Sequence, residues 1–219
     1  MDNPTSTVPP GLYQFELGAN FSNGFISSYL ATSSEIDTTI FIPILLRMGV
    51  YKNTELQVGY ANQYLTLGLL YGGIRIISGM ENSIYFTTSL TKNNDVLTEY
   101  SAYVPISYSF QSGFSVWGQI GETIFNNDKL DPILSYSLAI GSTLGNNNGW
   151  FFEAYQSQTM GNKNPIENIP ISVDWGITYL LENNVLLDLS MGLTFHKNDS
   201  DYIETERFVE WGVSIRLPK

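Results

Sequence analysis

The stretch Val185-Leu-Leu-Asp-Leu-Ser-Met-Gly-Leu-Thr-Phe-His196 decides the fold. Val185, Leu187, Leu189, Met191, Leu193 and Phe195 hold one parity, and Asp188, Ser190, Gly192, Thr194 and His196 hold the other. Successive side chains of an extended strand point to opposite faces, so each parity reports one face. The stretch before it behaves alike. Ile169, Ile171, Val173, Trp175, Ile177 and Tyr179 stand against Ser172, Asp174, Gly176 and Thr178. Phe208–Leu217 sets Val209, Trp211, Val213, Ile215 and Leu217 against Glu210, Gly212, Ser214 and Arg216. Near the start, Tyr13, Phe15, Leu17, Ala19 and Phe21 alternate with Gln14, Glu16, Gly18 and Asn20. Ile36–Tyr51 and Thr54–Asn62 alternate too, with Arg47 and Gly49, then Glu55, Gln57 and Gly59, on the polar side. Similar segments near 65–77, 82–91, 98–110, 114–123, 132–144 and 150–158 bring the total to about twelve, and no stretch carries a 3.6-residue stripe.

Linkers of two kinds take turns between these segments. Lys52-Asn53, Gln111–Gly113, Gly145–Gly149 and Glu182–Asn184 are short and polar; Asn23–Glu35, Asn126–Asp131, Thr159–Asn168 and Lys197–Arg207 are longer. Short turns at one end and long loops at the other are the pattern of an outer-membrane barrel. The Gly72-Gly73 pair reads as a bulge, and Pro43 and Pro105, each lacking a ladder donor, read as bulges near the rim.

Composition narrows the choice. The 219 residues include 10 Lys+Arg, 21 Asp+Glu, one His and no Cys, for a formal charge of −11. Only 14% are charged, against about 25% in an ordinary soluble domain. The acidic balance and lack of a basic cluster argue against nucleic acid. Absent cysteine removes disulfide scaffolds and thiolate zinc sites. The longest apolar run, Ile40–Leu46, is far short of the roughly 20 residues a spanning helix needs. Met1-Asp-Asn-Pro4 has no basic or apolar leader region and reads as having no signal peptide.

The alternation alone fits a soluble barrel with its apolar face inside or a membrane barrel with that face outside. The polar parity separates them. It is rich in Gly, Ser, Thr, Gln and Asn and almost free of Lys, whereas a solvated face normally mixes Lys with Glu. Twelve strands of inward Ile, Leu, Phe, Tyr and Trp would also overfill one barrel; outward, they need no packing partner. Tyr13, Tyr51, Tyr60, Tyr71, Trp150 and Trp211 suit aromatic girdles at the two interfaces. The expectation is therefore an all-β, up-and-down antiparallel transmembrane β-barrel of about twelve strands in the bacterial outer membrane. Residues 11–219 form the barrel, and 1–10 form a periplasmic segment or a plug.

Four segments also resemble a known family: Val8-Pro-Pro-Gly-Leu-Tyr-Gln-Phe-Glu-Leu-Gly18, the strand–turn–strand unit Ile42–Gly59, Asp174–Gly192, and Trp211-Gly-Val-Ser-Ile-Arg216. They are similar to the outer-membrane transporter-like group labelled "MetA pathway of phenol degradation". The likeness is strongest over the first 60 and last 50 residues. It implies a twelve-stranded outer-membrane barrel that passes small solutes, small aromatic or hydrophobic compounds among them. The chain departs from that pattern by ending Arg216-Leu-Pro-Lys219 rather than on an aromatic.

A barrel of this width is not filled by its own side chains. Glu16, Arg47, Glu55, Trp117, Glu153, Tyr155, Asp174, Asp188, Glu210 and Arg216 fall on the polar parity and are the expected lumen-lining pathway. Their acidic excess would favour cations. Set against that, Arg47–Glu55 and Arg216 with Glu16 or Glu210 read as cross-strand pairs that satisfy each other. A hydrolase would need a nucleophile, a base and an orienting acid. His196 is the sole histidine, and along one strand it lies ~20 Å from Ser190, so it reads as a rim residue. Asp199-Ser-Asp201 with Glu204 and Glu206 reads as a solvated acidic loop. The expectation is a channel or binder of small solutes with no catalytic residue, cofactor or metal. Its partners would be membrane lipid, lipopolysaccharide, the outer-membrane assembly machinery and the solute. A non-conducting barrel with a structural or surface role stands second, and a lipid hydrolase third.

Overall fold

The computed structural model describes residues 7–23, 38–61, 64–75, 80–92, 96–126, 130–161, 170–197 and 203–218. These carry thirteen strands and no helix. The first six are β1 (Leu12–Asn23), β2 (Thr38–Phe41), β3 (Pro43–Tyr51), β4 (Thr54–Ala61), β5 (Tyr64–Arg75) and β6 (Met80–Lys92). The rest are β7 (Val96–Ser109), β8 (Phe114–Phe125), β9 (Ile133–Leu144), β10 (Asn148–Thr159), β11 (Ile171–Glu182), β12 (Val185–Lys197) and β13 (Ile203–Pro218). All belong to one antiparallel sheet in which each strand from β3 to β13 pairs with the next, and β3 pairs with β1. The ladder then returns to its start, because β13 pairs with β1 over the whole of β1, from Leu12↔Pro218 to Asn23↔Arg207.

Proline explains the one divided strand. β2 and β3 both pair with β1, and Asn20↔Phe41 and Leu17↔Ile44 continue a single register. The break at Ile42 precedes Pro43, which has no N–H to give to the ladder. Pro105 acts the same way inside β7. Pairing with β6 lapses between Asn82↔Ile106 and Tyr85↔Tyr103 and resumes in the same register. Neither proline makes a bulge, contrary to the sequence expectation, since a lost hydrogen bond does not require an inserted residue. Gly72-Gly73 does make one: the β5–β6 register shifts between Tyr71 and Ile74.

Turn chemistry sets the short connections. Asn53 adopts φ 61° between β3 and β4, and Gly113 adopts φ 83° between β7 and β8, the left-handed region these two residue types tolerate best. Most of the longer linkers, including 24–37, 162–169 and 198–202, fall outside the described residues, as does the link at Asn62-Gln63. β13 begins at Ile203, five residues before the sequence pattern placed it, so Glu204 and Glu206 belong to a strand and not to an acidic loop.

Burial follows the parities with the usual sense inverted. Trp175, Leu189 and Met191 are 43%, 44% and 44% exposed, while Asp174 beside them is 2% exposed. Phe15, Ile44, Leu56, Leu67, Val104, Ile120, Leu138 and Ile177 are likewise exposed, whereas Gln14, Arg47, Glu55, Gln57, Ser172 and Ser190 are buried. The buried face is therefore the polar one. Trp211 does not fit the girdle expectation: it lies midway along β13, opposite Ala19 and Leu189.

The buried face explains its glycines. Tyr103 lies across from Gly121, Phe151 from Gly176 and Phe208 from Gly192, while Trp117 sits diagonally from Gly141. A Cβ on any of these glycines would run into the ring beside it. Each ring can lie against the sheet only because the neighbouring strand offers no side chain there. At Gly59 an added Cβ would meet Leu45 and Thr66 at 3.5 Å, an ordinary contact. Gly192→Ala should therefore lower stability by about 1–3 kcal/mol through overpacking, and Gly59→Ala should leave it nearly unchanged, as read from urea unfolding in detergent micelles.

Candidate functional site

Cross-strand partners on the buried face form rows, and successive rows are two residues, or ~7 Å, apart along the strands. The row of Gln14 holds both arginines of the expected pathway, through Gln14↔Arg47 and Gln14↔Arg216. Both guanidiniums are engaged there. Arg47 donates Nε to Glu55 Oε1 at 2.6 Å and Nη2 to Glu55 Oε2 at 3.1 Å, a bidentate pair, and donates Nη1 to Glu16 Oε1 at 3.1 Å. Arg216 donates Nε and Nη2 to Gln14 Oε1 at 3.1 and 2.7 Å, and Gln14 in turn donates Nε2 to Glu16 at 2.8 Å. The Arg47–Glu55 pair is the one the sequence suggests. The Arg216–Glu210 pair is not formed, for a plain reason: Glu210 shares its row with Asn20, ~20 Å along the strand from the row of Gln14.

The N-terminal segment closes over this cluster. Glu55 is 0% exposed and Val8 1% exposed, and the Val8 N–H donates to Glu55 Oε2 at 2.7 Å. Gln57 Nε2 adds a 2.7 Å bond to Glu55 Oε1. Gly49 makes room for the approach, since a Cβ there would collide with the carbonyls of Val8 and Pro9, and its own carbonyl accepts the Gly11 N–H at 3.2 Å. The sequence leaves a hanging and an inserted segment equally open; residues 1–6 lie outside the described residues, and of residues 7–11 Val8 packs on the buried face while Pro9 and Pro10 are exposed.

Beyond the arginine row the charges are carboxylates. Glu16 shares a row with Ser214 and Leu186. The next row runs Gly18, Gly212, Asp188 and Thr178. The one after runs Asn20, Glu210, Ser190, Gly176 and Phe151. Asn20 donates Nδ2 to Glu210 Oε1. The fourth brings Asp174 directly opposite Glu153, beside Gly192 and Phe208, and the fifth brings Glu206 onto the row of Thr194, Ser172 and Tyr155. Consecutive rows on β1 and β10–β13 thus each hold a carboxylate. Trp117 shares the fourth row through Ala139.

Sequence reasoning put Glu153, Asp174, Asp188 and Glu210 on the polar face, the register brings them to neighbouring rows, and the parity reading missed Glu206 and the buried Gln14. Both were findable from parity: Glu206 matches Glu210, and Gln14 matches Glu16. It also missed that Glu122, across from Ala102 and Leu134, is exposed on the apolar parity, three residues from the end of β8. His196 pairs with Glu204 one residue from the end of β12. Among the described residues no group of three His, Cys, Asp or Glu is arranged to hold a metal.

A cavity of ≈ 390 Å³ opens against this wall, with Glu16, Asp188 and Glu210 in its lining. Asn20, Ser190 and Ser214 add polar atoms; Pro43, Leu45, Phe151 and Leu186 add apolar surface. Among the described residues, no lysine or arginine lines it.

No protein-family model matches the chain, and no curated protein matches it. Solved structures do. The NanC porin matches with a TM-score of 0.66 at 10% identity, covering 93% of this chain and 100% of the porin. The KdgM porin matches at 0.65 and 10%, covering 92% and 98%. The CymD monoaromatic hydrocarbon channel matches at 0.57 and 9%, covering 97% and 89%. At these identities the likeness shows a fold: this chain is built as outer-membrane porins and channels are.

The arginine row makes a stability prediction. Arg47→Met strands Glu55 as a buried, uncompensated charge and should cost about 3–5 kcal/mol. Adding Glu55→Gln to that variant should recover most of the loss in the same urea titration.

Proposed function

We propose that this chain is an outer-membrane channel, a closed twelve-stranded barrel whose polar face lines a lumen for small solutes. One observation carries the reading: among the described residues, large apolar side chains stand exposed on one face of the sheet while carboxylates, glutamines and serines are buried on the other. Water would penalise that arrangement, and hydrocarbon rewards it. The count of twelve follows from taking β2 and β3 as one strand, which their common register supports. Closure is supported by the β13–β1 ladder, and a closed ring is what lipid demands of a sheet.

The proposed pathway runs along Glu16, Asp188, Glu210, Asp174, Glu153 and Tyr155, with Trp117 across the fourth row. Arg47, Glu55 and Arg216 form a structural clasp at the end where β1 begins and β13 ends. Carboxylate rings and rows favour cations in pores. Small aromatic solutes are included in the proposal on two supports: the resemblance to the transporter-like family labelled for phenol degradation, and the CymD fold, whose protein is named as a monoaromatic hydrocarbon channel. Tyr103 and Trp117, both half-buried, give such solutes flat surfaces to slide on.

A second reading, a non-conducting barrel, draws on the Val8 segment packed against Glu55. Residues 1–10 would then serve as a partial plug. Refolded full-length protein should run at different gel positions boiled and unboiled, and in a planar bilayer a salt gradient should give a reversal potential of cation-selective sign. Anion selectivity would remove the acidic pathway, and silence with or without residues 1–9 would favour the second reading. If the segment obstructs the passage, deleting those residues should raise single-channel conductance.

A further inference from the structure

Away from the carboxylates the polar face carries hydroxyls. The row that holds Thr194, Ser172 and Tyr155 continues through Ser137 on β9 to Gln119 on β8. One row nearer the long linkers, Ser135 meets Ser157 across β9 and β10. Every residue of β8 and β9 on this parity is uncharged, from Ser115 to Phe125 and from Ile133 to Thr143.

The hydroxyls hold one another in place. Ser135 Oγ and Ser157 Oγ lie 2.8 Å apart, Ser101 Oγ and Thr123 Oγ1 2.8 Å, and Ser172 Oγ and Thr194 Oγ1 2.9 Å. Ser172 also bonds the Tyr155 side chain. Two paired hydroxyls spend one O–H and one lone pair on each other, so a second O–H and three lone pairs remain to them. At the exposed Ser135–Ser157 pair and at Tyr155, which is 37% exposed, that capacity is open to a solute. Rings flank these groups. Trp117, half-buried, stands one row from Ser137 and lies against Gly141, and Tyr103 lies against Gly121 beside Ser135.

The solute's chemistry can be read from this wall. A molecule that covers hydroxyls without returning hydrogen bonds strips their water at a cost, which disfavours a plain hydrocarbon here. A carboxylate or phosphate would meet Glu153, which shares the row of Trp117, and Glu206, which shares the row of Tyr155. A neutral pyranose avoids both penalties. Its hydroxyls give and accept as the wall does, and its weakly positive C–H groups suit the negative face of an aromatic ring. Groups already fixed by their own bonds lose little freedom when such a solute arrives.

We propose that the wall of β8, β9 and β10 nearest the long linkers is a binding site for neutral sugars. Ser135, Ser157 and Tyr155 exchange hydrogen bonds with the sugar's hydroxyls, and Trp117 takes its C–H face. The proposal rests on the channel reading for a polar face that encloses water, and it names a further solute class for that space; binding needs no conduction and is measured separately.

Titration calorimetry of the refolded full chain, in a detergent without a sugar head group, tests this with maltotriose as the probe and benzyl alcohol as a hydroxyl-poor counterpart. Saturable binding of maltotriose is expected, with benzyl alcohol about fivefold weaker or more. Ser135→Ala combined with Ser157→Ala removes both partners of one pair, leaves neither stranded, and should weaken maltotriose about fivefold. Tyr155→Phe keeps the ring, leaves Ser172 bonded to Thr194, and should weaken it about threefold. Absent maltotriose binding, benzyl alcohol bound as tightly, or full affinity in the folded variants would each overturn the proposal. A protein that binds maltotriose but carries no current upholds this site and overturns the channel; one that conducts without binding maltotriose overturns the site and leaves the channel standing.

Discussion

A polypeptide surrounded by hydrocarbon finds no water for its N–H and C=O groups, so each must be answered within the chain. The ladder that runs from β1 through β3 to β13 and back to β1 is the answer this sequence gives. Much else follows from it. Strands committed to pairing on both edges leave side chains only two directions, and the sequence sends bulk one way and polarity the other. The tolerated lapses are local. Pro43 and Pro105 each remove one donor without moving the register, so neighbouring rows stay aligned and the charges they carry stay where the register puts them.

Those aligned rows partition charge along the sheet. Two arginines share the row of Gln14, where they are matched by Glu16, Glu55 and the Gln14 carbonyl. A buried bidentate pair of this kind contributes little net stability, because desolvation offsets most of its attraction, but breaking it is expensive. Its value is positional. It draws together β1, β3, β4 and, through Gln14, β13, and holds the Val8 segment at the end where β1 begins and β13 ends. Past that row the described residues of the cavity wall bring carboxylates, Asp188 and Glu210 among them.

How much of this the sequence disclosed depended on what kind of force was at issue. Alternation is local, so the strands, their faces and the Gly72-Gly73 bulge were legible, and Asp174 and Glu210 could be put on one face from parity alone. Register is not local. Which residue of β13 meets Gln14 depends on ladders fixed over two hundred residues, so Arg216 was matched with Glu16 or Glu210 when its row belongs to Gln14. The strand containing Glu206 was read as loop because Glu204, Glu206 and Arg207 outweigh its few apolar positions. The Val8 contact was hidden for a different reason: a backbone N–H seeking a buried carboxylate leaves no mark in composition, although Gly49, the space it needs, was visible as one more glycine.

The rings that lie on glycines carry a consequence for calibre. An aromatic side chain standing upright would reach several ångströms toward the axis; laid on its neighbour's bare backbone it adds thickness to the wall and little obstruction to the bore. Gly121, Gly141, Gly176 and Gly192 touch no solute, yet a single methyl group on any of them would tip a tyrosine, tryptophan or phenylalanine inward. The width of the proposed passage is thus tuned from beneath its lining, by residues whose contribution is the atom they lack.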